Sequence, residues 1–135
     1  MTSGLSHITV IVRDLDRMTA IVETVLGGRE VYASGPNGFS IAPEKFFLVG
    51  DVWLAIMQGA PRSERTYDHV AFRIDRSRIG QARARIEALG LEIRQPRPRV
   101  EGEGESIYFY DDDNHLFELH SGTLQERLDR YASWP

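Results

Sequence analysis

The sequence predicts an α+β fold made of two βαβββ modules that form a cavity, and three observations support this class. Short apolar runs have the pattern of strands, one helical segment follows the first strand of each half, and the same order of elements occurs twice. With 135 residues, the chain is long enough to bury most of its apolar surface in one functional domain. We expect the modules at residues 1–57 and 67–120, a polar linker at 58–66, and a C-terminal helix and tail at 121–135.

The first half contains strand, helix and hairpin signals in that order. Asp14 can cap a helix whose apolar residues recur at helical spacing, and Gly27-Gly28 ends it. The predicted elements are strand Leu5–Val12, a helix that includes Leu15 to Val25, strand Arg29–Tyr32, the loop Ser34–Gly38, and a hairpin of Lys45–Val49 with Trp53–Met57 around Gly50-Asp51.

The second half repeats this order from Tyr67. Its predicted elements are strand Tyr67–Phe72, a helix from about Ser77 to Leu89 that Gly90 ends, strand Leu91–Arg94, a loop rich in Pro, Arg, Gly and Glu, and the hairpin Tyr108–His120. A capping-box sequence, Thr123-Leu124-Gln125-Glu126, then begins a short helix that extends to about Tyr131.

The hairpin Tyr108–His120 contains a carboxylate that folding alone does not explain. Its turn, Asp111–Asn114, has short polar side chains that bond their own backbone and accept left-handed geometry. A calcium loop is the alternative for these carboxylates, but the sequence does not have the spaced D-x-D-x-D-G-x₅-E pattern. Glu118 lies in a strand that otherwise consists of core residues, so its charge requires a partner.

The repeat suggests which partner Glu118 has. An alignment of the halves without gaps inside the hairpins pairs His7 with His69, Phe47 with Phe109, and Ile56 with Glu118. Two imidazoles and one carboxylate from three strands suit a divalent metal ion with open coordination positions. Ile56 stands where a fourth ligand would be, and it cannot coordinate, so the ion keeps room for a substrate.

Each histidine taken alone is more often a core or edge residue than a metal ligand. The matching positions of His7 and His69 in the two halves favour the metal interpretation. His120 shares a strand face with Glu118 and is expected beside the ligands, with a ligand role left open. His115, next to the turn, is expected to be exposed.

Composition disfavours several classes of function. The net charge is −4 with acidic and basic residues interleaved, so there is no basic stripe for a nucleic-acid backbone. The chain has no cysteine, which excludes disulfides, thiolate ligands and a cysteine nucleophile. Its N-terminal residues, MTSGLSHITVIV, lack a basic segment followed by a long apolar one, and their longest apolar run is far short of a membrane span. We therefore expect a cytoplasmic protein that binds neither nucleic acid nor membrane.

Three segments together resemble the fosfomycin resistance proteins of the vicinal oxygen chelate superfamily. They are GLSHIT near the N-terminus, YDHVAF in the middle and SIYFYDDDNHLFELHSGTLQERL near the C-terminus, and the similarity covers nearly the whole chain. The segments EKFFLVGDVWLAIMQG and PRPRVEGEGESIYFY resemble the FosX-type hydrolases, which open the epoxide with water. They resemble less closely the thiol transferases, which open it with glutathione or bacillithiol.

The resemblance implies that His7, His69 and Glu118 bind the metal, usually manganese, in a homodimer whose paired modules come from different chains. It implies that Glu44 is the general base that activates water, at a position where the thiol transferases lack a carboxylate. Without the resemblance, Glu44 is more simply a solvated loop residue paired with Lys45. The ligand types by themselves also admit iron, cobalt, nickel or zinc.

A phosphonate dianion needs fixed donors, such as arginine forks and hydroxyls. The resemblance implies that Thr9 bonds the epoxide oxygen, and it gives as the substrate-binding set Arg127, Tyr108, Ser106, Trp53 and Tyr67.

The loop Arg97–Glu105 allows two interpretations. It departs from the potassium loop of the glutathione enzymes, which argues against potassium. Arg97 and Arg99 are either phosphonate ligands or part of a solvated extended loop, and the solvated loop is favoured. Gly102 and Gly104 are expected to let the loop move as a lid.

The predicted function is therefore the metal-dependent addition of water to C1 of the epoxide of fosfomycin, a small phosphonate, which gives the vicinal diol phosphonate and resistance to the antibiotic. One alternative is a fosfomycin thiol transferase on the same scaffold. Another is a metal-free binding protein of the bleomycin-sequestering type, which the three predicted metal ligands disfavour.

Overall fold

The computed structural model describes residues 1–35 and 41–133. The chain divides into two compact units, the first made of Met1–Arg65 with Asp112–His115 and the second of Thr66–Asp111 with Leu116–Pro135. Each unit contains a four-stranded mixed sheet with a helix packed against it. The predicted α+β class with two βαβββ modules is confirmed.

The elements of the first unit are β1 (His7–Val12), α1 (Leu15–Thr24), β2 (Arg29–Ala33), β3 (Glu44–Val49) and β4 (Val52–Gln58). The sheet has the order β1-β4-β3-β2, with β1 and β4 parallel and the other pairs antiparallel. Asp14 caps α1 as predicted, because its side chain accepts a hydrogen bond from the backbone N–H of Arg17. The loop predicted at Ser34–Gly38 lies partly outside the described residues.

The two faces of the first sheet differ in character. One face packs on α1 and contains the fully buried residues Val12, Phe47, Leu54 and Ile56. We call the other the open face, and strand register assigns to it His7, Thr9, Ile11, Glu44, Phe46, Leu48, Trp53, Ala55 and Met57.

The elements of the second unit are β5 (His69–Arg73), a 3₁₀ turn (Arg76–Arg78), α2 (Ile79–Ala88), β6 (Ile93–Arg94), β7 (Ser106–Tyr110), β8 (Leu116–His120) and α3 (Leu124–Ala132). The sheet has the order β5-β8-β7-β6, with β5 and β8 parallel. Helix α3 begins at the predicted capping box, in which Thr123 and Glu126 bond each other's backbone N–H groups.

The strand register corrects the alignment of the two halves. On β1, Thr9 pairs with Ala55, and at the same place on β5, Ala71 pairs with Glu118. The equivalent of Glu118 is therefore Ala55, and the alignment that paired Glu118 with Ile56 is wrong by one residue.

A longer turn in the second hairpin is the cause of this shift. Strands β7 and β8 pair last at Tyr110 and Leu116, which enclose residues 111–115, whereas the matching pair Leu48 and Trp53 encloses residues 49–52. An alignment without a gap cannot represent the additional residue. The fourth position of the repeat thus has an alanine side chain, which also lacks a donor for a metal.

The turn predicted at Asp111–Asn114 is present, and Asn114 has a φ of 67°, in the left-handed region. A carboxylate of this turn is also paired, since Arg13 Nε lies 3.0 Å from Asp113 Oδ1. The prediction that His115 is exposed is wrong, because this residue is only 9% exposed. Residues Asp112–His115 are therefore a packed part of the first unit.

Among the helices of the described ranges, none combines the length and the hydropathy that crossing a membrane requires.

Candidate metal centre

His69 lies at the start of β5, and the backbone fixes its tautomer. Nδ1 of its ring is 2.7 Å from the carbonyl oxygen of Tyr67, and because a carbonyl can only accept, Nδ1 holds the hydrogen. Nε2 of the neutral ring therefore has the lone pair, and it lies 3.1 Å from Oε1 of Glu118. Two acceptor atoms at this distance repel each other unless a proton or a metal ion is shared between them.

Glu118 lies in the middle of β8 and is only 5% exposed. Its Oε2 accepts a hydrogen bond of 2.6 Å from the Ser106 hydroxyl and lies 3.3 Å from Nη2 of Arg99. Burial acts to raise the pKa of Glu118, but hydrogen bonds from Ser106 and Tyr108 and the charges of His120 and Arg99 lower it overall. The side chain is therefore held as a carboxylate, the form that binds metals.

The donor set in this unit fits a divalent ion of intermediate hardness. An imidazole nitrogen and a carboxylate oxygen face each other, and each side chain is oriented by a further hydrogen bond, as metal ligands in proteins usually are. In the part of the chain that the structure describes, no three His, Asp or Glu side chains are arranged to hold a metal ion. The third predicted ligand, His7, belongs to the first unit.

His7 lies on the open face of the first unit, where its ring stacks on Trp53 with the centroids 4.2 Å apart. Its Nδ1 is 2.9 Å from the Ser6 hydroxyl, so Nδ1–H can donate to Ser6 and leave the Nε2 lone pair for a metal. The indole N–H of Trp53 is buried and has no hydrogen-bond partner among the described residues. Buried donors in proteins nearly always have an acceptor, so we expect this N–H to bond a group outside the described residues.

Glu44 is the first residue of β3, and it shares the open face with His7 and Thr9. Strand register shows this, because Glu44 pairs with Met57, and Met57 pairs with Ile11. Ile11 lies two and four positions after Thr9 and His7 on β1, so all three share one face of the sheet. The predicted base and the predicted epoxide donor thus lie on the same face of one sheet.

The backbone of Glu44 is fixed on both sides. Its N–H donates to the Ser34 hydroxyl at 2.8 Å, and its carbonyl accepts from the Ser34 N–H at 2.9 Å. The alternative for Glu44 was a solvated loop residue paired with Lys45. Lys45 instead points to the opposite face of the strand, where its Nζ is 2.9 Å from Oε1 of Glu30. Glu44 therefore lies in an ordered strand, half-buried.

A cavity of about 330 Å³ in the second unit contains both predicted metal ligands of that unit. Arg127, the predicted phosphonate ligand, lines the same cavity as His69 and Glu118. His120 also lines it, and its two ring nitrogens face Ser106 Oγ at 2.7 Å and Arg127 Nη2 at 3.4 Å. His120 thus lies beside the ligands, as expected, and contacts their neighbours.

Arg99 is largely buried, whereas the sequence favoured a solvated loop for it. Its side chain is only 12% exposed, and its Nη2 donates to Tyr108 Oη at 2.9 Å as well as approaching Glu118. Its Nε and Nη1 are buried without a hydrogen-bond partner among the described residues. Tyr67 extends this network, because its hydroxyl donates to Tyr108 at 3.2 Å. A guanidinium in a proline-rich segment gives no sequence signal that it is buried.

Residues 4–119 match the family model described as Glyoxalase/Bleomycin resistance protein/Dioxygenase superfamily. The chain belongs to this superfamily. Within the superfamily, it is 62% identical over 132 residues to the fosfomycin resistance protein FosX of Mesorhizobium japonicum, with 98% of this chain and 95% of that protein covered. It is 36% identical to the metallothiol transferase FosB of Shouchella clausii, with 97% of this chain and 88% of that protein covered.

The chain is also similar to a solved structure of a FosX protein. A variant of FosX from Listeria monocytogenes, in complex with Mn(II) and 1S,2S-dihydroxypropylphosphonic acid, is similar with a TM-score of 0.88 and 53% identity, and the match covers 97% of this chain and 99% of that chain.

We expect His69→Ala and Glu118→Gln each to weaken Mn²⁺ binding by at least about a hundredfold. His69→Ala removes a direct donor and Glu118→Gln removes the negative charge of another, whereas loss of a supporting hydrogen bond alone costs about 10–100-fold. Titration calorimetry with manganese chloride measures this. Glu87→Gln makes the same charge change as Glu118→Gln at an exposed position of α2 and should bind as the parent does. Parent-like affinity in either site variant would mean that the metal binds elsewhere.

Proposed function

We propose that the protein is a manganese-dependent hydrolase that adds water to C1 of the epoxide of fosfomycin, gives the vicinal diol phosphonate and so confers resistance to the antibiotic. The observation that carries this proposal is the facing pair of His69 Nε2 and Glu118 Oε1 in one cavity with Arg127. The identity of 62% to a FosX protein selects the substrate class. The diol bound with Mn(II) to the L. monocytogenes FosX variant corresponds to water added across an epoxide.

We assign the metal to His7, His69 and Glu118. When bound, the manganese ion supplies Lewis-acid polarisation of the oxirane oxygen. The backbone carbonyl of Tyr67 accepts the Nδ1 hydrogen of His69 and so orients the ring with Nε2 as the atom available to a metal. Ser106 and its neighbours keep the Glu118 carboxylate ionised.

We assign the phosphonate to a group of cationic and hydroxyl donors in the second unit. Arg127 lines the cavity, and Arg99 offers two buried N–H groups that have no partner among the described residues. Guanidinium forks match the geometry of phosphonate oxygens, which is why two arginines suit this ligand. Tyr108 and Ser106 add hydroxyls, and Tyr67 holds the Tyr108 hydroxyl in place.

Glu44 and Thr9 act on the reacting atoms in this proposal. Glu44 takes a proton from water as the water oxygen bonds C1 of the epoxide and the bond from C1 to the oxirane oxygen breaks. That oxygen stays on C2, accepts a hydrogen bond from Thr9 and takes up a proton from solvent to complete the diol, and Glu44 returns its proton to solvent. Trp53 supports His7 by stacking and offers its indole N–H to the substrate.

We further propose a homodimer in which His7 of one chain completes the site of the other. The support is that the three metal ligands are divided between the two units, with His7 in the first and His69 and Glu118 in the second. A cytoplasmic location remains a prediction from the sequence.

The test of the function is phosphorus NMR of fosfomycin with the manganese-loaded protein, with and without added thiol. We expect the diol to form without thiol, and Glu44→Gln to slow its formation by about 10²–10⁴-fold, because glutamine cannot accept the proton that a general base removes. Manganese affinity should remain at the parent value, since Glu44 is not among the ligands.

Glu30→Gln is the matched control, because it makes the same change at the partner of Lys45 on the neighbouring strand β2. It should hydrate fosfomycin at the parent rate. Turnover only in the presence of thiol would favour the transferase function that FosB proteins have by name. An unimpaired Glu44→Gln variant would remove the proposed base from the mechanism.

The shared site predicts that two inactive variants restore each other. A mixture of His7→Ala and Glu118→Ala chains should contain dimers with one intact site, and equal amounts that exchange freely should recover about a quarter of the wild-type sites. The rate of diol formation measures this. His69→Ala mixed with Glu118→Ala is the control, because both changes fall in the same unit and no dimer regains a site. No recovery in the first mixture, once mass spectrometry shows mixed dimers, would contradict the shared site.

A further inference from the structure

The loop before β7 contains a second buried carboxylate, Glu103, which the mechanism above does not use. Glu103 is 2% exposed, and its carboxylate faces both terminal nitrogens of Arg97 at 3.1 and 3.3 Å. It also accepts the backbone N–H of Val100 at 2.8 Å and the hydroxyl of Tyr131 on α3. Hydrogen bonds from Arg97 and Tyr131 lower the pKa of Glu103 to about 2. The carboxylate is therefore charged and fully partnered.

The backbone around Glu103 packs closely against the residues before and within α3. Gly104 has a φ of +84°, and a Cβ there would lie 2.6 Å from the backbone nitrogen of Gly122. Gly102 has a φ of +92°, and its Cβ would lie 3.3 Å from the side chain of Arg130. These glycines thus allow a close approach of two segments. A role of the two glycines in lid motion stays a prediction.

Arg99 lies between two residues that Glu103 binds. Arg97 precedes it by two positions and Val100 follows it directly, and both donate to the same carboxylate. The main chain on either side of Arg99 is therefore fixed. The guanidinium of Arg99 then reaches Tyr108 and Glu118 through Nη2, while its Nε and Nη1, which have no partner among the described residues, remain for an anion.

We propose that Glu103 is a positioning residue, which joins the loop to α3 and thereby fixes Arg99 for phosphonate binding. This proposal rests on the proposed function and deepens it, because it names the residue that organises the anion subsite. Glu103 itself does not touch the substrate. It acts through Arg99, and its bond to Tyr131 connects the loop to the helix that presents Arg127.

The test compares Glu103→Gln with the parent in the manganese-loaded protein. Glutamine keeps the size of the side chain, but it presents an NH₂ group to a donor and loses the charge that Arg97 binds. We expect KM for fosfomycin to rise about 10–100-fold, because Arg97 and Val100 lose a charged hydrogen-bond acceptor, with kcat changed by less than about threefold. The affinity for methylphosphonate, measured by calorimetry, should fall by the same factor, and manganese affinity should not change.

Limited proteolysis reports the loop independently of activity. Trypsin can cut after Arg99, whereas Pro98 protects the bond after Arg97. Loss of the Glu103 contacts should speed cleavage between Arg99 and Val100 about tenfold or more, because cleavage follows the open population of the loop. Mass spectrometry identifies the fragments 1–99 and 100–135.

Glu101→Gln is the matched control, since Glu101 is an exposed carboxylate two positions away in the same loop. It should leave KM and cleavage at parent values. Tyr131→Phe is a second variant that removes one hydrogen bond at a half-exposed ring, and it should raise KM and cleavage in the same direction by a smaller factor.

Three outcomes overturn the proposal. KM and cleavage of Glu103→Gln equal to those of Glu101→Gln would show that Glu103 does not position Arg99. Equal losses of manganese and methylphosphonate affinity would show a general structural role instead. Faster cleavage with unchanged methylphosphonate affinity would show that the loop does not serve the anion. The absence of fosfomycin hydration by the parent protein would instead remove the proposed function, and methylphosphonate affinity and proteolysis would still test Glu103.

Discussion

A buried carboxylate in the middle of a sheet is the constraint on which the site depends. An ionised side chain that is 5% exposed is stable only when hydrogen bonds and opposite charges replace the water that it has lost. Glu118 obtains these from Ser106, Tyr108 and Arg99. The contacts from Ser106 and Arg99 are to Oε2, whereas the oxygen that faces His69 is Oε1. The surroundings of Glu118 therefore stabilise its charge and still leave one oxygen for a metal ion.

In each sheet, the core residues lie on one face and the residues proposed for the chemistry lie on the other. Residues such as Phe47 and Ile56 in the first unit, and Phe109 in the second, belong to the buried core on one face. The opposite face has the residues that can react, such as His7 and Glu118. Because strand residues alternate between faces, one chain can keep a dense core and present metal ligands and a base within the same few strands.

Local sequence signals predicted the elements and their caps well, because strand periodicity, the Asp14 cap and the capping box at Thr123 depend on neighbouring residues. The register between halves could not be predicted in the same way. One additional residue in a turn moved the equivalent of Glu118 from Ile56 to Ala55, and turn length is not visible in the periodicity of the strands.

The burial of charged loop residues also could not be predicted from the local sequence. Arg99 and Glu103 lie in a segment of prolines, glycines and charges that resembles solvated chain, yet both are held by contacts with residues distant in sequence. His115 was likewise expected outside and is buried in the first unit. Such contacts are tertiary, and only the arrangement of loop, sheet and helix shows them.

If this metal site serves the attack of water on the epoxide, the oxygen atom of that water must end on the carbon that it attacks. Fosfomycin is turned over by the manganese-loaded protein in water labelled with oxygen-18 and without thiol, and carbon NMR of the diol locates the label by its isotope shift. We expect the label on the C1 hydroxyl, with the original oxirane oxygen retained on C2. Label on C2, or no diol without thiol, would contradict it.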